Sequence, residues 1–178
     1  MSLESESRAR VDGLVESLRA DYGDAPVYDE EMTVSPGRFR DMARVVADGV
    51  LDGGAAYVRD DEGRLLLQRA TGSGTWSVPG GGLEGGETLV ESAVREVREE
   101  TGVDCEVTGL RFCRRVRLVA DGEGSATDDA LYRLGAFFEG RYVGGTVGTD
   151  DPEVADVRWV ESLPDDVDPA VARYADLD

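Results

Sequence analysis

Residues 81–103 read GGLEGGETLVESAVREVREETGV, and the order of residues in that stretch decides the fold. Thr88 with Glu91 three residues on has the spacing of a capping box, so a helix begins at Thr88 and runs to about Thr101, with Gly102 as its stop. Around that helix Val90, Ala93, Val94 and Val97 form one stripe, while Glu96, Glu99 and Glu100 fall well round from it. The helix has a core face and an acid face. Carboxylates at i, i+3 and i+4 are neighbours and repel one another. Either solvent and salt screen them, or bound cations offset their charge. Hard oxygen ligands on one turn suit magnesium or manganese, with water and substrate phosphates completing the shell.

The rest of the chain limits what such a site can serve. At 178 residues it has the length of one domain plus an extension. A net charge of −19 excludes a nucleic-acid polymer or an anionic membrane as partner, because either needs a basic patch and the arginines here are scattered among more numerous acids. Lysine, histidine, asparagine and isoleucine are absent, which points to a GC-rich genome, and the acid excess points to a salt-loving, haloarchaeal source. Near 1 M salt the Debye length is about 3 Å, so the self-repulsion of such a surface is largely screened. No apolar run has the length of a membrane span and no signal segment opens the chain, so a cytoplasmic protein is expected. Cys105 and Cys113 read as buried small hydrophobes in strands rather than as a disulfide or metal pair.

Ahead of the main domain, Val11, Leu14, Val15 and Leu18 predict an amphipathic helix over 7–21, stopped by Gly23. A polar stretch follows. Ser35-Pro36 then opens a second helix with Phe39, Met42, Ala43 and Val46 as its apolar face. These helices make an N-terminal arm over 1–48, distinct from a domain over 49–178, whose apolar stripes either cover that domain's own sheet or groove or dock on a second copy as a homodimer, the preferred reading. Next comes a hairpin: strand 55–59, turn 60–63, strand 64–69. A short strand 76–78 leads into a tight bend at Pro79-Gly80-Gly81-Gly82. Beyond the central helix, strands are expected at 104–110, 111–119, 131–138 and 157–160, with an acidic hairpin tip at 121–129 and a short helix near 169–175.

Glycine at 81, Glu87, then Arg95-Glu96-Val97, Glu99-Glu100, Gly102 and Val103 fill every fixed position of the pattern G-x5-E-x7-R-E-U-x-E-E-x-G-U, with U apolar. The stretch resembles the signature of the Nudix hydrolases, MutT-like proteins, and the Trp76-Ser77-Val78-Pro79-Gly80-Gly81 lead-in is common in that family. The likeness spans about residues 50–162. It implies the α/β (α+β) Nudix fold, a mixed β-sheet in an α/β/α sandwich, and metal-dependent hydrolysis of a nucleoside diphosphate joined to another moiety. By the same likeness Glu96, Glu99 and Glu100, with the carbonyl of Gly80, bind Mg2+ or Mn2+, and Glu87 and Arg95 brace loop and helix.

Water attacking a diphosphate needs a charge clamp and a base. With no histidine in the chain a histidine base is excluded, and so is a serine or cysteine nucleophile helped by one. The base is then Glu96 or Glu99 on the helix, or Glu153 ahead of the Trp159 strand. Arg69, at the end of a strand, is a candidate phosphate contact. Substrate choice stays open among modified nucleoside triphosphates, ADP-ribose and dinucleotide polyphosphates. The alternative to an enzyme is a non-catalytic nucleotide-sensing module of the same fold, which the intact signature counts against. An isoprenoid diphosphate isomerase, also of this fold, relies on a histidine that this chain lacks.

Overall fold

Helix α3, Leu89–Thr101, forms where the capping box places it: the Thr88 hydroxyl accepts the Glu91 N–H, the Glu91 carboxylate accepts the Thr88 N–H, and Gly102 ends the helix in the left-handed region at φ 72°. Its Leu89, Ala93 and Val97 are buried, with Val90 and Val94 half-buried at the margin of the stripe. The helix rests on the sheet at closest range. An ideal Cβ at Gly54 would lie 2.1 Å from the Leu89 carbonyl oxygen, so only glycine lets the two backbones meet there.

The structure, a computed structural model, describes residues 2–46, 50–121 and 130–175. In chain order these form α1 (Leu3–Tyr22), β1 (Val27–Val34), α2 (Pro36–Val45), β2 (Gly53–Arg59), β3 (Leu65–Ala70), β4 (Gly80–Gly82), α3, β5 (Val103–Ala120), β6 (Ala130–Gly145), β7 (Val154–Val160) and α4 (Pro169–Tyr174). The sheet has the order β1-β5-β6-β2-β3-β7, and β4 pairs β2. It is mixed: β1 runs parallel to β5 and β6 parallel to β2, while β5–β6, β2–β3, β2–β4 and β3–β7 are antiparallel. On one face, α1 and α3 close a core of Val11, Val15, Leu18, Leu89, Ala93 and Val97 over Ala56, Leu66 and Phe138. On the other, Tyr57, Leu65, Leu67, Trp76 and Phe112 pack with Val171 of α4.

Four expectations are corrected. The segment after α1 is a strand, not a polar connection, because its acids meet arginines across the ladder. Asp29 and Glu31 stand opposite Arg115 and Arg117 and bind them, and Glu30 takes Arg114. Residues 103–120 are one strand instead of two, and the register shifts at Asp104/Cys105, Val107/Gly109 and Leu110/Phe112 disguise its continuity in the sequence. Trp76 and Ser77 make only isolated bridges, whereas the glycines read as a bend form β4. Finally, the stripes of α1 and α2 need no second copy. Val11, Val15 and Leu18 pack on this chain's own sheet, and Phe39 and Val46 pack with Val34, Val116, Leu118 and Leu131. The expected hairpin tip, from residue 122, and the boundary at 48/49 lie outside the described residues. Cys105 and Cys113 are buried and unbonded to each other, with thiols pushed up to about 11 by burial. No described helix is long and apolar enough to cross a membrane.

Candidate active site

Arg95 organises the acid face of α3. Its Nε donates to Glu87 Oε1 at 2.7 Å and its Nη2 to Glu87 Oε2 at 3.1 Å and to the Gly82 carbonyl at 2.9 Å. Nη1 donates at 2.9 Å to both Glu96 Oε1 and Glu99 Oε2. One guanidinium thus ties the loop before the helix to the helix itself, as expected for a brace. The same bonds raise the Arg95 pKa and lower that of Glu87. Ser92 adds a second tie, its hydroxyl donating to the Gly82 carbonyl at 3.1 Å.

The three glutamates are not alike. Glu96 is half-buried with its carboxylate against the Cα of Gly81, where an ideal Cβ would lie 2.3 Å from Glu96 Oε1. Burial raises its pKa in spite of Arg95. Glu100 is also half-buried, and its Oε2 accepts the Gly80 N–H at 2.9 Å. Burial pushes its carboxyl up to about 7, and the charges of Glu96, Asp151 and Glu153 push in the same direction. Glu99 is exposed. Its backbone carbonyl accepts the Thr149 hydroxyl at 3.1 Å, which fastens the following loop to the end of α3.

That loop brings Glu153 towards the cluster. The Glu153 N–H donates to Asp151 Oδ1 at 2.8 Å, and its carbonyl accepts the Thr71 N–H at 2.7 Å. The side chain is exposed and close enough for its charge to act on Glu100. Arg69 is not brought to the acids. It shares the side of β3 that carries Leu65 and Leu67, away from α3, where it lies 4.9 Å over the Trp76 ring and 3.7 Å from Asp156. At Gly80 the atom that engages the cluster is the N–H.

Among the described residues no three acidic or thiol side chains are gathered closely enough to hold a metal ion together. The reason is local: Arg95 draws Glu96 and Glu99 to itself while Glu100 turns to Gly80. The donor set nevertheless fits a hard divalent cation. Glu96 and Glu100 are carboxylates held in a desolvated place, surrounded by further acids and with Arg95 as the cation bound to Glu96, so an added positive charge relieves both.

Sequence reasoning did not find the neighbouring cavity, about 340 Å³, on the sheet face away from α3. Gly53, Gly80, Gly81, Gly82 and Gly135 give it a floor without side chains, and Tyr57, Phe112 and Phe137 line it. Phe112 and Phe137 stack at 4.5 Å. Gly80 and Gly81 of β4 line this cavity and also meet the carboxylates of Glu100 and Glu96. Arg133, a charge within the apolar run Leu131–Phe138, was the available signal.

A mixed sheet flanked by helices, with an arginine-braced acid face beside a cavity, defines the class: a hydrolase-type Nudix scaffold. The match to the NUDIX domain family model over residues 52–173 shows that the chain belongs to that family. It is 35% identical over 107 residues to the nucleoside triphosphatase NudI of Enterobacter sp. (strain 638), covering 56% of this chain and 72% of that protein. It is 32% identical over 125 residues to the mutator protein MutT4 of Mycobacterium tuberculosis, covering 69% of this chain and 48% of that one. The chain therefore spans about half the length of the mycobacterial relative. A MutT NUDIX hydrolase from Burkholderia pseudomallei shares the fold at a TM-score of 0.52 and 21% identity, over 69% of this chain and 93% of that chain.

Proposed function

We propose that the protein is a Nudix pyrophosphohydrolase that uses Mg2+ or Mn2+ to cleave the diphosphate bond of a nucleoside diphosphate-linked compound. The observation that carries this reading is the sharing of β4: Glu96 and Glu100 press on the glycines that also line the cavity. A diphosphate entering along that strand meets the acid face at its edge. When bound, a divalent cation supplies charge to the phosphoryl oxygens and lowers the pKa of a water.

The chain's own residues do the rest. Arg95 and Glu87 hold the loop and helix in register, and Glu96, Glu99 and Glu100 hold the cation. Glu153 takes the proton of the attacking water in this reading, supported by its loop being fastened to α3 and to Thr71, with Glu96 and Glu99 as the helix alternatives. The relative NudI is named as a nucleoside triphosphatase, which supports a small nucleotide as the substrate here. The charge of −19 supports a cytoplasm concentrated in salt as the working environment.

The test is phosphorus NMR on a panel of nucleoside diphosphate derivatives in molar potassium chloride, with magnesium and after chelation. Cleavage confined to the magnesium samples is expected. Saturable binding of the panel with no cleavage under any cation would replace the enzyme by a sensing module.

A further inference from the structure

Arg133 is a cation in an apolar strand with no binding partner among the described residues. It lines the cavity on β6, opposite Val116 of β5, and its Nε is buried without a hydrogen-bond partner. No ion pair or hydrogen bond is made by its guanidinium among the described residues. The charges around it make matters worse. Burial disfavours its charge most, and Arg114, also lining the cavity, and the exposed Arg38 both repel it; among the described residues Glu30 is the acid that acts on it. Glu30 is already taken, accepting from Arg114 Nε at 3.0 Å and Nη2 at 2.5 Å.

The other acids that line the cavity are engaged as well. Asp52 is bound by Arg10 and accepts the Leu134 N–H, and Asp168 caps α4 through the Ala170 N–H. Glu30 pairs with Arg114 and Arg10 with Asp52, so among the described residues Arg133 is the surplus charge at this end of the cavity. A neutral acceptor, such as the edge of a nucleobase, satisfies the hydrogen bonds of a guanidinium and leaves that surplus in place. An anion satisfies both.

Position sets what the anion is attached to. Arg114 stands opposite Gly135, so Arg133 is its diagonal neighbour on the adjacent strand, roughly 7–8 Å away between backbones. One tetrahedral oxyanion reaches both guanidiniums. From β6 to β4 there are two strand spacings, roughly 10 Å, with the glycine floor between them. We propose that Arg133, with Arg114, binds a second phosphoryl group of the substrate, remote from the diphosphate that meets the acid face. The substrate class is then a nucleoside diphosphate derivative carrying a further phosphate on the moiety that fills the cavity. This rests on the reading that the cavity accepts the substrate, but the binding event can be measured without catalysis.

The experiment titrates inorganic phosphate into the full-length protein at constant ionic strength with a chelator present, following the heat of binding and the melting temperature. Without divalent cations the acid face repels phosphate, so saturable binding reports on the arginines. Wild type is expected to bind saturably, Arg133→Met at least tenfold more weakly, and Arg44→Met, on the exposed side of α2, as wild type does. Because Arg133→Met removes a half-buried cation whose Nε has no partner, its melting temperature without phosphate should equal or exceed that of wild type, which a structural arginine would not allow. Equal phosphate affinity in wild type and Arg133→Met, or no saturable binding to wild type, overturns the proposal. Phosphate binding that depends on Arg133 in a protein with no hydrolytic activity would remove the hydrolase reading and leave this site standing.

Discussion

Arg10 of α1 reaches the carboxylate of Asp52, which is fully buried at the start of β2 and also accepts the Leu134 N–H at 2.7 Å. The first helix is thereby tied to the centre of the sheet by charge as well as by its apolar stripe. Breaking such a pair from one side leaves a buried charge uncompensated, at a cost of about 3–5 kcal/mol. Arg10→Met should therefore destabilise by about that much. The double variant Arg10→Met with Asp52→Asn, which keeps an acceptor for Leu134, should recover at least half of it. Denaturant unfolding of the three proteins checks this, and a double variant no better than the single would show that Asp52 tolerates its charge alone.

Two glycines separate packing from chemistry. At Gly54 an added Cβ meets the Leu89 carbonyl and the Ala93 backbone of α3, which cannot yield locally. At Gly81 it meets the carboxylate of Glu96, the far end of a side chain that can turn away. Gly54→Ala should cost roughly 3 kcal/mol or more. Gly81→Ala should keep nearly its full stability and lose turnover at least tenfold. Melting temperatures and rates on the same samples separate the two effects.

Cys105 and Cys113 lie buried in the core, with thiols raised from 9.0 to about 11. Since the folded values lie above the unfolded ones, the stability these thiols contribute is fully present below pH 9 and lost as pH rises towards 11. A shift of that size leaves about a hundredfold fewer thiolates at pH 8. Iodoacetamide should label neither residue at pH 8 in the folded protein and both once it is unfolded. Prompt labelling of the folded protein would contradict their burial.

Salt should stabilise the fold. The charge of −19 repels itself at low ionic strength, and molar potassium chloride shortens the Debye length to about 3 Å. The unfolding midpoint is expected to rise steadily across that range. A flat midpoint would remove the salt-adapted reading and leave the site untouched.

What the sequence shows and what it hides differ for physical reasons. Helix α3 was legible to the residue because its cap, stripe and stop all act within a few positions of one another. The tie of Arg95 to Glu87 was expected from the likeness to the Nudix signature, and the burial of both cysteines from their place in apolar strand segments. Strand β1 was hidden because its stability comes from Arg114, Arg115 and Arg117, which lie more than 80 positions away along the chain. The cavity was hidden too, since its floor joins glycines from β2, β4 and β6 that only the sheet order brings together. Arg69 was misplaced by a question of side: alternation along β3 turns it to Trp76 and away from α3.

The proposed hydrolysis depends on a cation held by the acid face of α3, and Glu100 offers the sharpest test of it. Glu100→Gln keeps the shape and the acceptor for the Gly80 N–H while removing the charge. The measurement is the initial rate of diphosphate cleavage as a function of magnesium concentration, for wild type and Glu100→Gln side by side in molar potassium chloride. No cleavage by either protein is expected after chelation, and for the variant a half-saturating magnesium concentration and a maximal rate each worse by at least tenfold. Cleavage that persists in the chelator, or a variant whose magnesium curve overlays that of wild type, would contradict that dependence.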